Sequence, residues 1–593
     1  DAYIFSMYGP DFRHSVININ QPYDYKAIPH IHISANEAMV EDGVFDSRSG
    51  RNPSALSIDS VDAIRLSGGT EINGFAQVEL RADTVEMLKG VVYRSAKDVS
   101  AGDVNLVGVP AALIIRSGML TDLRGQSLNG IVIVYSDDDI KVTDTNIGGY
   151  DQISGTSTTI LKLDAKGDLT IDTGELGISP YIEAKRVNLF GDNVHVKRVG
   201  IKSDQDVGIF ASNKIEIDGP TKISANLKGI AALKIEAPEV YLNEGTDIEA
   251  SAYLDDWFGT TGHMEINGKE ILKLTGAKLQ LFNLQTNSET PSIELYGRQI
   301  TVDNSMIFQA SYYNQIATWG EKYGKQHTNL SGRNLTLIEA KESVSLINDS
   351  ELYMNNGDIK IKAKNINIDD SNIKNKNTWP TAISPVSLID LDAQKNIKLA
   401  DSTIYGDTLS NFKRMQVNLK GSQLDSSNSL VGIIDQRKGH SGSINLDFGK
   451  SINLDRSQIV SIGEAKLTTD TNGNDINIKS GKLSLTDSLI TGIVQGDGIE
   501  GVTKISSTQN IPMPSLESYS VKTVGSVPGP WAFEDGVWVS DGSVLGCGGP
   551  YHDFLSSPDF IVPTDGEVTL SFEHRHAFEA KMFDGGQLRI RVN

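Results

Sequence analysis

Gly357-Asp-Ile-Lys-Ile-Lys-Ala-Lys-Asn-Ile-Asn-Ile-Asp-Asp-Ser-Asn-Ile373 is the stretch whose reading decides the fold. Ile359 and Ile361 alternate with lysines. After a short gap, Ile366 and Ile368 alternate with asparagines. Asp369-Asp370-Ser371 interrupts the run, and Ile373 follows alone. Alternation with period two is the signature of a strand with one buried and one solvated face. Asn, Asp and Ser between the runs supply turn chemistry. No apolar stripe of helical period competes with this pattern.

The same unit recurs along the chain. Copies read as Leu233/Ile235, Val240/Leu242, Ile248 and as Ile293/Leu295, Ile300/Val302, Ile307. Others read as Leu335/Leu337, Val344/Leu346, Leu352 and as Ile389/Leu391, Ile397/Leu399, Ile404. Two late copies are Ile444/Leu446, Ile452/Leu454, Ile459 and Ile476/Ile478, Leu483/Leu485, Leu489. Earlier and less regular copies include Leu56/Ile58, Ile64/Leu66, Ile72 and Leu161/Leu163, Leu169/Ile171. The spacings Leu279 to Ile300, Val344 to Ile366 and Ile452 to Leu483 read as coil lengths. Three short strands with three turns need roughly 20 residues. A repeat of that size indicates a solenoid. The competing reading is a β-sandwich, in which Asp218-Gly219, Asn267-Gly268 and Asn356-Gly357 serve as hairpin turns. The grouping in threes favours the solenoid.

Ser443-Ile-Asn-Leu-Asp447, Asp475-Ile-Asn-Ile-Lys479 and Lys482-Leu-Ser-Leu-Thr-Asp487 followed by Ser488-Leu-Ile490 resemble the repeats of filamentous-haemagglutinin-like large exoproteins. The resemblance covers residues 215–490. It implies a right-handed β-helix, secretion, a rod shape and adhesion. No copy of that family's N-terminal secretion module is present.

Composition changes after about residue 505, where Pro512, Pro514, Pro528 and Pro530 mark a linker. Leu570-Ser-Phe-Glu-His-Arg-His576 and Phe583-Asp-Gly-Gly586 resemble the opening half of a jelly-roll accessory domain. That resemblance implies calcium or glycan binding, with Glu573 and Asp584 as candidate metal ligands. A turn-forming Asp-Gly-Gly is the plainer reading. The expected organisation is therefore 1–50 as a cap or irregular first coils and 51–505 as parallel β-helix. Residues 506–530 follow as linker and 531–593 as a partial β-sandwich. The fold class expected is all-β, a right-handed three-sided parallel β-helix followed by the start of a jelly-roll domain.

The chain has 593 residues, with 54 Lys+Arg against 76 Asp+Glu and a net charge of −22. Nucleic acid is a poor partner for such a chain, because phosphate binding needs clustered cations. The single Cys547 excludes an internal disulfide framework. No apolar run reaches 18 residues, so no membrane span is expected. The start at Asp1 and the end inside a strand-like pattern read as a segment of a longer protein.

No nucleophile elbow, phosphate loop, dinucleotide fingerprint or zinc motif is present. His30-Ile-His32 and His574-Arg-His576 each place two imidazoles on one strand face, a chelating spacing that also suits a solvated face. Asp137-Asp-Asp139, Asp255-Asp256 and Asp369-Asp370 are acidic clusters of the kind a glycosidase needs. Asp369-Asp370 also fits a simple turn. Asn329, Asn334 and Asn348 begin Asn-X-Ser/Thr triplets. The aromatics concentrate in the insertions between repeats: Tyr253, Trp257 and Phe258, then Tyr312, Tyr313 and Trp319, then Trp379. On a solenoid such insertions carry function. These seven are the candidate contacts for a glycan or another surface protein, or else covers for apolar turns. The functional expectation is an extracellular or cell-surface structural and adhesive rod, with self-association into fibres left open. No cofactor is required, and calcium is the one left open. The alternative is a carbohydrate-active β-helix, a lyase or hydrolase.

Overall fold

A computed structural model of the chain describes residues 2–6, 16–18, 30–46, 55–75, 77–88, 90–95, 112–124, 127–128, 130–148, 150–151, 156–157, 160–172, 181–227, 231–252, 262–283, 292–311, 334–355, 357–377, 386–408, 414–435, 442–464, 475–495, 503–507, 520–524, 531–534, 537–540 and 552–556. Among them there is no helix. One sheet of 37 strands gathers nearly all of the strands.

The quoted stretch shows how the sheet is built. Strand Gly357–Asp369 carries two segments, with a register shift between Ala363 and Asn365. Strand Ser371–Asn377 carries the third. Ile359 pairs with Thr336 of the preceding coil and Ile389 of the next. Ile366 stands between Val344 and Ile397, and Ile373 between Leu352 and Ile404. All these pairings are parallel. Each apolar position of one coil thus stacks on the same position of its neighbours, and the columns form the core. Ile359, Ile361, Ile368 and Ile373 are fully buried. Burying one such side chain contributes about 1.5–3 kcal/mol. The molecule is a β-solenoid, and the coil of residues 357–377 supplies three paired segments to it.

The stack begins with Ala2–Ser6, which pairs in parallel with His30–Glu41, and continues to Thr503–Ser507. The strand before Asp218-Gly219 pairs in parallel with neighbouring coils, and Asn267-Gly268 lies within the parallel-paired strand Gly262–Thr275, so neither dipeptide is a hairpin turn. Antiparallel pairing occurs elsewhere. Ser520–Val524 pairs with His552–Ser556, and Trp531–Glu534 with Val537–Ser540.

Three register expectations need correction. Leu335 and Leu337 do not face the core. Asn334, Thr336 and Ile338 do, because Ile338 stacks between Leu295 and Ile361. A slip of one residue moves a whole strand to its other face. Buried Thr336 is satisfied by donating to Gln309 Oε1 at 3.0 Å. Ile490, not Leu489, pairs with Ile459 and enters the core. Leu279 stacks on Ile307, and Ile300 on Leu272, so the Leu279–Ile300 spacing joins different segments.

The bend between the second and third segments has a fixed chemistry. Asn304, Asp370, Asp401, Asn428, Arg456 and Asp487 there hold φ between 45° and 48°. Asn and Asp tolerate this left-handed conformation better than most residues. The next residue is a serine, buried except for half-buried Ser488, and its side chain serves the neighbouring coil. Ser371 N–H donates to Ser402 Oγ at 3.2 Å, Ser402 N–H to Ser429 Oγ at 3.1 Å, and Ser429 N–H to Ser457 Oγ at 3.3 Å. Ser457 N–H donates to Ser488 Oγ at 3.1 Å. Each hydroxyl in turn donates within its own bend, as Ser402 Oγ does to Ala400 O at 2.5 Å. Where the column holds Ala277, its N–H still donates to Ser305 Oγ at 3.0 Å.

Ser402→Ala leaves the buried Ser371 N–H without its acceptor. The expected cost is about 1–3 kcal/mol, read as faster hydrogen exchange at Ser371 and a lower unfolding midpoint. Unchanged exchange at Ser371 contradicts this role.

Candidate functional site: an aromatic strip beside the loop edge

The third segments place one outward residue directly after each buried apolar one. Phe308 follows Ile307, Tyr353 follows Leu352, and Tyr405 follows Ile404. Parallel pairing stacks Phe308 on Tyr353, Tyr353 on Lys374, and Lys374 on Tyr405. Phe308 and Tyr353 lie face to face, 5.1 Å between centroids and 6° apart in plane. Phe282 joins the upper end, tilted at 5.6 Å from Phe308. Lys374 Nζ reaches Glu351 Oε1 at 3.3 Å. Burial, then the charges of Glu351 and Asp407, holds the Tyr353 hydroxyl above the usual phenol range. Burial first and Asp407 second push Tyr405 up to about 12. The strip is therefore a half-buried column of neutral rings along the stack, interrupted between Tyr353 and Tyr405 by Lys374 with its partner Glu351.

The long connections leave from one end of these same segments. Thr246–Ala252, Lys278–Asn283, Met306–Ser311, Ser350–Asn355 and Ser371–Asn377 pair side by side. Connections 253–261, 284–291, 312–333 and 378–385 each follow one of them. Their origins are thus aligned on one edge of the solenoid. Connection 173–180, after Leu169–Asp172, is an exception and leaves from the end of a second segment.

Tyr253, Trp257, Phe258, Tyr312, Tyr313, Trp319 and Trp379 all fall in these connections and lie outside the described residues. The strands that flank them bring their origins together on the edge beside the strip. Glu573 and Asp584, with His574 and His576, also lie outside the described residues, as do Asp255 and Asp256. Among the described residues, no group of three or more His, Cys, Asp and Glu is placed to hold a metal. No helix there is long and apolar enough to cross a membrane.

The remaining candidates resolve into coil-to-coil contacts. His30 and His32 do share a face, with ring centroids 6.1 Å apart. His32 Nδ1 lies 3.3 Å from Ser57 Oγ on the next coil. Asp137 pairs with Lys166, and Asp139 Oδ1 accepts from Asp168 N–H at 2.8 Å. Asp370 forms the left-handed bend described above. Asn334 is buried and donates to Asn355 O at 2.9 Å, which removes its triplet from any surface role.

A carboxylate pair that sequence reading passed over is Asp390 and Asp392, on one face of strand Val386–Ala400. Burial first, then the charge of Asp392, raises the Asp390 carboxyl above its ordinary range. Two carboxylates in unequal environments are what acid–base hydrolysis of a glycoside requires. A structural role also accounts for them. Lys360 and Lys362 precede them in their columns, and Asn418 and Lys420 follow. Asn418 bonds to Asp390, Asn445 Nδ2 donates to Asn418 Oδ1 at 2.8 Å, and Asn477 Nδ2 donates to Asn445 Oδ1 at 3.0 Å. Asp390 is the first rung of an amide ladder.

No protein-family model, no curated protein and no solved structure matches the chain. The resemblance to filamentous-haemagglutinin-like exoproteins therefore rests on its repeat pattern alone. The aromatic strip was legible in principle. Its residues occupy the position directly after the apolar residue of the Ser-x-Ile step, and reading that position as a column yields Phe308, Tyr353, Lys374 and Tyr405.

Two pH effects follow. The raised Tyr405 keeps its proton in the folded chain while the unfolded chain loses it from about pH 10. Its contribution to stability is complete below pH 10 and is lost as pH rises toward about 12. Tyr405→Phe flattens the alkaline fall of the unfolding midpoint; an unchanged fall contradicts the assignment. The raised Asp390 runs the same way in sign: its charged form opposes folding at neutral pH. Asp390→Asn keeps the acceptor that Asn418 uses and raises the midpoint near neutral pH. That gain shrinks as acid protonates the wild-type carboxyl, and equal gains at both pH values contradict it.

Proposed function

We propose that this chain is a segment of an extracellular or cell-surface adhesive rod. The stack is read as a right-handed, three-sided parallel β-helix that carries its binding loops along one edge. The observation that supports this reading most is the coincidence of the aromatic strip with the shared origin of the long connections. A ridge of rings beside aromatic loops suits sugar rings or a partner's apolar side chains. Roughly nineteen levels at ~4.8 Å give a length of about 90 Å, enough to hold such a surface away from a cell. Residues 531–593 are read as the start of a jelly-roll accessory domain, with calcium at Glu573 and Asp584 as its proposed ligand.

The test is binding of the purified chain to a glycan array. Replacing Trp257, Trp319 and Trp379 together by alanine is expected to reduce binding at least tenfold while the unfolding midpoint stays unchanged. The second reading, a carbohydrate-active enzyme, is favoured by the Asp390 and Asp392 pair. Release of oligosaccharides from a polysaccharide panel, abolished by Asp390→Asn and Asp392→Asn, replaces the adhesive reading with that one.

A further inference from the structure

The bend between first and second segments forms a second edge of the stack. Register shifts recur there, between Asp59 and Ala63, Ala82 and Thr84, Glu339 and Ser343, Asp392 and Asn396, and Phe448 and Ser451. The residues released from pairing point into solvent, and one sign predominates in each half, with Lys166 among the acids and Glu342 among the lysines as the exceptions. In the N-terminal half, the exposed residues at this edge include Asp62, Asp83, Asp138, Asp168 and Asp192. In the C-terminal half, the same edge carries Lys341, Lys364, Lys395, Lys450 and Lys482. Lys341, Lys395, Lys450 and Lys482 make no ion pair among the described residues, nor do Asp62, Asp83 and Asp138.

The two halves match in spacing. Following the pairings coil by coil, Asp62 to Asp192 spans five steps, and Lys341 to Lys482 spans five steps, about 24 Å each. The level that interrupts the acids, at Gly118-Met119, is the third of its series. The level that interrupts the lysines, at Gly421-Ser422, is third from the end of its own. The midpoint falls between strand Ala231–Leu242 and strand Gly262–Thr275. A two-fold axis there sets Asp62 against Lys482, Asp83 against Lys450, and Asp138 against Lys395. It also sets Asp168 against Lys364 and Asp192 against Lys341. An independent observation lies on the same edge. Val61 and Met119, the large apolar side chains most exposed among the described residues, are 63% and 54% accessible.

We propose that this edge is the contact between two copies of the chain, packed side by side and antiparallel. Self-complementary surfaces are what a two-fold contact requires. An anionic polymer bound to the lysines would leave the matched acidic half without a role. The individual exposed pairs are weak, so the contact is salt-sensitive and gains its strength from number. It does not depend on the adhesive reading.

The experiment is sedimentation of the full chain across a range of salt, with sodium polygalacturonate as a separate polyanion probe. A dimer is expected at low ionic strength, dissociating as salt rises. Changing Lys395, Lys450 and Lys482 together to Glu weakens self-association at least tenfold, and so does changing Asp62, Asp83 and Asp138 together to Lys. Mixing the two variants restores a dimer. Zero-length coupling of the wild-type chain joins Lys450 of one copy to Asp83 of the other. A wild-type monomer at low salt overturns the proposal, as do variants that dimerise alone or cross-links between like halves. Lysine-dependent polygalacturonate binding by a strictly monomeric chain overturns it in favour of a polyanion edge.

Discussion

From Ser371 to Ser457, one backbone N–H per coil constrains how the coils stack. At the bend into the third segment the chain turns through a left-handed residue, two of them at Asn348-Asp349, and the following N–H points into the stack. A buried N–H without an acceptor is costly. The hydroxyl of the next coil supplies that acceptor, from Ser371 through Ser402, Ser429 and Ser457 to Ser488. The bond forms only when successive coils are in register, so the serine column ties together the coils from Ser371 to Ser488. The apolar columns then have one permitted alignment. Outside the stack, the amide ladder from Asp390 through Asn418 and Asn445 to Asn477 repeats the same logic on a solvated face.

This arrangement separates the work of the residues. Inward positions and the serine bend fix the stack and leave little freedom. The outward side chains and the connections stay out of the packed core, although outward positions such as Asn418, Asn445 and Asn477 also bond from coil to coil. Insertions accumulate where the third segment ends, and that edge meets the strip of Phe308, Tyr353 and Tyr405. The bend between first and second segments collects charge, predominantly acidic along one half and predominantly basic along the other. A chain of net charge −22 nonetheless keeps five lysines in line on one half of this edge.

The solenoid was legible because the columns are made of isoleucine, leucine and valine in strict alternation. Ile359, Ile361, Ile366, Ile368 and Ile373 announce their own register. The reading slipped where that signal was ambiguous. At Leu335 and Leu337 two leucines alternate, yet the buried set is Asn334, Thr336 and Ile338, and the partner that makes Thr336 acceptable is Gln309 on the previous coil. A partner so distant in sequence leaves no local trace. Leu489 and Ile490 are adjacent and both apolar, so only the Ser-x-Ile spacing separates them. The candidate aromatics were found by composition. The strip beside their origins was not, because a single outward ring per coil looks unremarkable until the coils are stacked. The paired acids Asp390 and Asp392 went unread for the same reason: their environment is set by Lys360, Lys362 and Asn418, which belong to other coils.

The most direct test of the account is a set of spin-label distances along one outward column, with Cys547 replaced by serine. The pairings place Lys360, Asn418 and Asn477 four, six and eight coils from Lys234. Labels at Lys234 and each of these positions in turn are predicted to lie about 19, 29 and 38 Å apart, at ~4.8 Å per coil. Distances that rise linearly with coil number support the stack and its register. Distances that fail to rise in that order, or that cluster at one short value, contradict it.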